Sequence, residues 1–240
     1  MKKIILILLF TTNLSFADTI FGVNAGIQTW LYNTSGNLSV DNSVFNAIND
    51  LDKNSENSTT LFVSLEHGIP LLPNFKLKHT NFETNYYTAE NNICLTIFPI
   101  ECFPNTGIDL SHTDITLYYE ILDNWVNLDL GFSAIYFNGS IDFVRGFNSD
   151  VDYSELVPAL YGKAMIELPI TDLSVSLTTN IATLTNDKLI DFEIATQYKI
   201  GLGFSVEAGL RQQTIDLEDN NGVDIHSNAT GVFAALNFHF

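Results

Sequence analysis

Residues 126–137 read VNLDLGFSAIYF, and their pattern decides how the chain is understood. Val126, Leu128, Leu130, Phe132, Ala134 and Tyr136 fall on one face, while Asn127, Asp129, Gly131 and Ser133 fall on the other. A two-residue period is the signature of a β-strand, because successive side chains leave a pleated backbone on opposite sides. The same alternation runs through 21-FGVNAGIQTW-30, 114-DITLYYEI-121, 173-LSVSLTTNI-181, 190-IDFEIATQYKI-200 and 204-FSVEAGLRQ-212. It also governs the end of the chain, 231-GVFAALNFHF-240, where Val232, Ala234, Leu236, Phe238 and Phe240 alternate with small or polar residues and Phe233 is the exception.

Ten segments of this kind are predicted, near 20–30, 59–69, 74–86, 108–121, 125–138, 154–167, 172–184, 188–200, 203–216 and 226–240. The count falls to eight if the weaker segments are loops. Their connections alternate in length. Short ones carry turn residues at Pro70 to Asn74, Asp123-Asn124, Pro169 to Asp172 and Gly201 to Gly203, whereas long polar ones lie near 31–58, 87–107, 138–153 and 217–225. An even number of strands, short turns at one end and long loops at the other are the attributes of an all-β, transmembrane, antiparallel up-and-down barrel of about ten strands. A soluble β-sandwich or lipocalin-like barrel alternates as well, with its apolar face inward, and alternation alone does not tell the two apart.

Composition narrows the choice. The chain has 240 residues, of which 46% are hydrophobic and 16% charged, which excludes an acidic disordered polymer. At residues 1–17, MKKIILILLFTTNLSFA has two lysines, a short apolar run and small residues before a cleavage point, and is expected to be a secretory signal peptide. The barrel domain would then occupy 18–240. Without Lys2 and Lys3, eight basic side chains face 28 acidic ones, a net charge of −20 that repels nucleic acid. Aromatic residues near strand ends would form two interfacial girdles, Trp30, Tyr86, Tyr87, Tyr136 and Tyr153 at the outer rim and Phe21, Trp125, Tyr198, Phe204 and Phe240 at the inner one.

The stretches 61-LFVSLEHGIPLLPNFKLKHT-80, 109-DLSHTDITLYYEILDNWVNLDLG-131 and 17-ADTIFGVNAG-26 resemble a family of small, mostly uncharacterised proteobacterial outer-membrane β-barrel proteins. The resemblance implies a fold and a location in the outer membrane, with long loops extracellular and both termini periplasmic. It brings no catalytic residue. The terminal Leu236, Phe238 and Phe240 look like the aromatic-ended signal by which the barrel-assembly machinery recognises such proteins. Lipid and lipopolysaccharide are the expected surroundings of a monomer.

Cys94 and Cys102 bracket the second long loop, and in an exported protein they are expected to form a disulfide. By parity, Glu66, Asp114, Glu120, Asp129, Glu167, Asp191, Glu193 and Glu207 point into the lumen together with Lys76, Lys78, Lys163, Lys199 and Arg211. They would make either a charge network that fills a narrow barrel or the lining of a narrow channel for small, preferably cationic solutes. A surface-binding barrel acting through its long loops is the alternative. Asp150, Asp152, Asp224 and His226 lie at loop bases and weakly resemble the paired acids and histidine of omptin-type proteases, a third reading. No cofactor or metal is expected: 216-DLEDNNGVD-224 lacks two ligands of a calcium loop, and a short apolar helix turn at Val44, Ile48 and Leu51 is expected to pack on the rim.

Overall fold

The computed structural model describes residues 21–40, 43–45, 56–87, 93–95, 101–103, 105–143, 151–183, 187–220 and 223–240. The predicted signal peptide, Asp150 and the Asn-Gly pair at 221–222 therefore lie outside the described residues, as does most of the predicted helix turn. Fifteen strands occur among those described: β1 (Phe21–Val40), β2 (Ser43–Phe45), β3 (Glu56–His67), β4 (Asn74–Asn81), β5 (Glu83–Tyr87), β6 (Ile93–Leu95), β7 (Glu101–Phe103), β8 (Asn105–Asp109), β9 (His112–Leu122), β10 (Val126–Phe143), β11 (Val151–Glu167), β12 (Leu173–Ala182), β13 (Lys188–Gly201), β14 (Phe204–Asn220) and β15 (Val223–His239).

Ten staves close a barrel, each antiparallel to its neighbours: β1, β3, β4, β9, β10, β11, β12, β13, β14, β15 and back to β1. Short strand β5 continues β4 past Phe82, and β8 leads into β9 across Leu110 and Ser111. At that break the Ser111 hydroxyl accepts from Phe82 N–H at 3.0 Å, and Leu110 N–H donates to Phe82 O at 2.7 Å. The seam runs the length of β1 and β15, from Asn24 opposite His239 to Val40 opposite Val223, and Phe240 is tied to Val23 by two backbone hydrogen bonds of 2.9 Å. The apolar chain end is thus part of the wall.

The apolar faces look outward. Ile27, Leu31, Leu61, Leu130, Phe132, Tyr136, Leu210 and Leu236 are all exposed, whereas Gln28, Ser64, Asp129, Ser133 and Arg211 on the opposite parity are buried inside. A sandwich or lipocalin would show the reverse, so the barrel is the transmembrane kind. Along β1 the outward face is apolar at both Phe21 and Leu31, then continues as exposed Asn33 and Ser35. The same switch occurs on β15 between Val232 and Thr230, on β14 between Leu210 and Gln212, and on β10 between Tyr136 and Asn138. Register places Leu31, Val232 and Leu210 side by side, and Tyr136 beside Leu156. The switch points join into a ring that marks where hydrocarbon ends. From Phe21 to Leu31, at roughly 3.3 Å per residue and a tilt near 40°, the apolar belt is about 25 Å tall.

At the ring and above it the pattern inverts. Trp30, Tyr32, Phe82, Leu110, Phe137 and Ile215 are at most 1% exposed and point inward, and they form one apolar core with Ile108, Tyr153, Leu189, Leu217 and Ile225. Outside them the wall is polar. Two groups of strands carry it: β3, β2, β1, β15 and β14 on one side, and β5, β8, β10 and β11 on the other. The hydroxyl of Tyr32 donates to Glu83 O at 2.8 Å and that of Thr84 to Glu56 at 2.6 Å, clasping the two groups together.

This corrects two expectations. Trp30 and Tyr153 belong to the interior and not to an outer girdle: both fall on the inward parity, where their rings are buried in the apolar core. Segments assigned to long loops, 31–40, 139–143, 151–153 and 217–220, are instead strand. Tyr136, Phe21, Trp125, Tyr198, Phe204 and Phe240 do face outward. An arginine at Leu130, mid-belt, is expected to destabilise the barrel by about 2 to 4 kcal/mol. Asn138→Arg, further along the same face but above the ring, should stay within about 0.5 kcal/mol. Urea unfolding in lipid vesicles measures both.

Candidate functional site

Inside the wall the side chains fall into three tiers. The lowest, towards the short turns, is polar and partly open. Tyr118 donates to Glu66 at 2.9 Å, Asn237 to Glu207 at 2.9 Å, and Lys199 pairs with Glu167 at 2.8 Å where both are half exposed at the mouth. Asp129 stands opposite Lys163 in register, with Glu120 on its other side, exposed. The ammonium of Lys76 lies 5.2 Å from the Phe62 ring centre and 5.6 Å from that of Tyr161, within cation–π range. Gly131 lies between Tyr118 and Tyr161 in register, and a Cβ there would come within 2.1 Å of Leu117 O. The two rings lean over this gap with centroids 5.7 Å apart. A residue larger than glycine would bar that approach of the backbones.

The middle tier spans the lumen. Arg211 on β14 clamps Asp191 on β13 through two hydrogen bonds, Nε to Oδ1 at 2.9 Å and Nη2 to Oδ2 at 2.8 Å. Its Nε also lies 3.2 Å from Glu193, and its Nη1 reaches Thr60 at 3.4 Å. Lys78 on β4 bonds Asp191 at 3.1 Å and Asp114 at 3.3 Å. In the ring of staves, β4 and β13 have four others between them whichever way one counts. They are diametrically opposite, so the Lys78–Asp191 bond crosses the full width. A second tie does the same, Gln213 of β14 to His112 of β9 at 3.3 Å. Carbonyl Leu110 O, 2.9 Å from His112 Nδ1, requires the hydrogen on Nδ1, which leaves Nε2 of a neutral ring to accept from the Gln213 amide. Arg211 is 1% exposed, His112 2% and Asp191 3%.

The upper tier is the apolar core, and it seals the charges beneath it. The guanidinium carbon of Arg211 lies 4.7 Å from the Trp30 ring centre, and Trp30 in turn stacks on Phe82 at 5.7 Å and 19°. Phe137 packs 5.0 Å from His112. Burial beneath these rings removes water from the ion pairs. Their bonds are correspondingly strong, and an unmatched member would be costly.

Among the thirteen predicted lumen residues, Lys78, Asp114, Asp191, Glu193 and Arg211 meet in the middle tier. Glu66, Lys76, Glu120, Asp129, Lys163, Glu167, Lys199 and Glu207 line the lower one. Four members of the closure escaped the sequence reading: Trp30, His112, Gln213 and Thr60. Parity was the available signal, since His112 and Asp114 share a face, as do Gln213 and Arg211. Asp152, Asp224 and His226 all lie on outward positions of the wall above the ring and do not converge; His226 pairs with Asp216 instead, and Lys188 stands 3.7 Å from the same carboxylate. On strands β6 and β7, Cys94 lies directly opposite Cys102 in the backbone register.

No family model matches the sequence, and no curated protein matches it. Among solved structures, the attachment invasion locus protein of Yersinia pestis, in complex with the heparin analogue sucrose octasulfate, is similar at 11% identity and a TM-score of 0.36, covering 92% of this chain and 100% of that one. Neisserial surface protein A gives 12%, 0.35, 92% and 98% in the same terms. The translocator domain of the autotransporter NalP from Neisseria meningitidis gives 11%, 0.42, 95% and 91%. At such scores the chemistry of the lumen has to be read from its own geometry.

That geometry makes Arg211 the least replaceable charge. Arg211→Ala leaves Asp191 with Lys78 alone and should cost about 3 to 5 kcal/mol, whereas removing both charges as Arg211→Met with Asp191→Leu should recover much of the loss. Vesicle unfolding of the single and double variants tests this. Additive losses would show that the pair is not coupled.

Proposed function

We propose that this chain is an outer-membrane protein whose barrel is filled, serving as a rigid anchor for an extracellular head and not as an open pore. The observation that carries this reading is the Lys78–Asp191 bond spanning the lumen under the Trp30–Phe82 stack. A hydrated ion passing along the axis would have to break that bond, the His112–Gln213 tie and the apolar packing together. Long strands favour the same reading. Crossing the hydrocarbon takes about 9 to 11 residues per strand, yet β1 has 20 and β10 has 18. The surplus builds a polar-walled platform beyond the ring. On this reading the platform is extracellular, both chain ends are periplasmic, and Leu236, Phe238 and Phe240 serve in assembly.

The function is then structural or adhesive: the platform rises from the membrane and offers a surface to a ligand or partner. A disulfide between Cys94 and Cys102 fits this role, since the two lie opposite each other in paired strands and a covalent link there would lock the pair. Protein taken from the envelope should be lighter by about 2 Da than its reduced form. Alkylatable thiols before reduction would remove the link.

In planar bilayers at about 1 M salt, folded wild-type protein should conduct nothing. A steady current that prefers cations would replace the anchor with a channel drawn through the acidic lower tier.

A further inference from the structure

Three of the short turns share an unusual feature. Leu71, Ile170 and Leu202 stand at their tips with φ of 68°, 69° and 54°, and they are 93%, 106% and 95% exposed. Two of these turns are built alike. Pro70 or Pro169 occupies the second position, Leu71 or Ile170 the third, and a backbone bond closes each turn, Leu72 N–H to Ile69 O at 3.4 Å and Thr171 N–H to Leu168 O at 3.3 Å. A positive φ at the third position calls for glycine or asparagine, and a β-branched residue such as Ile170 is strained there. The chain accepts strain at these points, and the side chain it thereby presents to the surroundings is large and apolar. Exposed apolar groups held in costly conformations point to a contact outside the chain.

The occupant follows from continuity. Ile69, Leu72, Leu168 and Ile200, beside the tips, are also exposed and continue the lipid-facing belt, with Thr171 and Asp172 the exposed polar residues next to Ile170. At the opposite end a ring of polar residues separates belt from water. The three tips lie between β3 and β4, between β11 and β12, and between β13 and β14, so they are spread around the barrel and not gathered into one patch. The fourth short turn differs, with Asp123 and Asn124 at its tip.

We infer that Leu71, Ile170 and Leu202 are lipid-contacting anchors: the short-turn end of the barrel is sunk into the interfacial layer of the membrane, and three apolar tips fix its depth. This goes beyond the anchor reading and holds whether or not the lumen conducts. The test uses full-length protein carrying Cys94→Ser and Cys102→Ser, with a single cysteine at 71, 170, 202 or, for reference, 123, each labelled with a polarity-sensitive fluorophore. In phosphatidylcholine vesicles with brominated acyl chains, emission at the three tips should fall at least two-fold and by more than at position 123. Quenching of the tips by aqueous iodide with no effect of bromolipid would overturn the inference and point to a protein partner. A second variant guards against label artefacts. Leu71→Asn, Ile170→Asn and Leu202→Asn together suit the backbone, so the protein should fold in detergent as a heat-modifiable band yet insert into vesicles with several-fold lower yield. Undiminished insertion would equally overturn the inference.

Discussion

Strands β1, β10, β14 and β15 pass from hydrocarbon into water partway along their length, and the backbone cannot change its alternation to suit. What changes is the residue assigned to each parity. Below the ring, lipid takes the apolar side chains and the interior must accept the polar ones. Above it, water takes the polar side chains and the interior becomes an ordinary apolar core. On β14 the sequence from Val206 to Leu217 shows both rules in turn: Val206 and Leu210 look out, then Ile215 and Leu217 look in. The ion pairs sit where the two rules meet, which is why Arg211 can have carboxylates beside it and an indole above it.

The interior charges are tolerable because their central carboxylate is fully engaged, although Asp114 Oδ1, Gln213 Oε1 and Trp30 Nε1 around it have no hydrogen-bond partner among the described residues. Asp191 receives three hydrogen bonds from two cations, and those cations reach it from an adjacent stave and from the opposite wall. A lumen ten strands wide is bridged by one long lysine and one arginine, whereas a much wider barrel would leave a gap for water. Below the closure the tier is looser. Lys76 finds ring faces there, and Glu66 a phenol.

Much of this was legible in the amino-acid order. Alternation located all ten staves, because a period of two survives strand tilt and modest bulges. What escaped was the change of outside medium. Read with lipid on one side throughout, Trp30 becomes a girdle residue and the polar-out, apolar-in stretches beyond Leu31 look like loop. The signal was present: in 135-IYF-137 the apolar residues occupy both parities, as they do in 30-WLY-32. Such a doubled pattern marks the crossing point between the two solvents. The closure across the diameter was not legible, since which of ten staves lies opposite which depends on the completed ring.

The two-sided character of the head also bears on how the protein is made. Its core joins Trp30 and Tyr32 from the start of the chain to Ile215, Leu217 and Ile225 from the end, with Phe82, Leu110 and Phe137 from the middle. Contacts of such long sequence separation form late. While the seam between β1 and β15 is open, the rings of Trp30 and Tyr32 have no complete core to enter, and they would face water or whatever holds the unfinished chain. Seam closure and head formation are therefore a single event: the burial of those rings is a built-in check that the first strand has found the last.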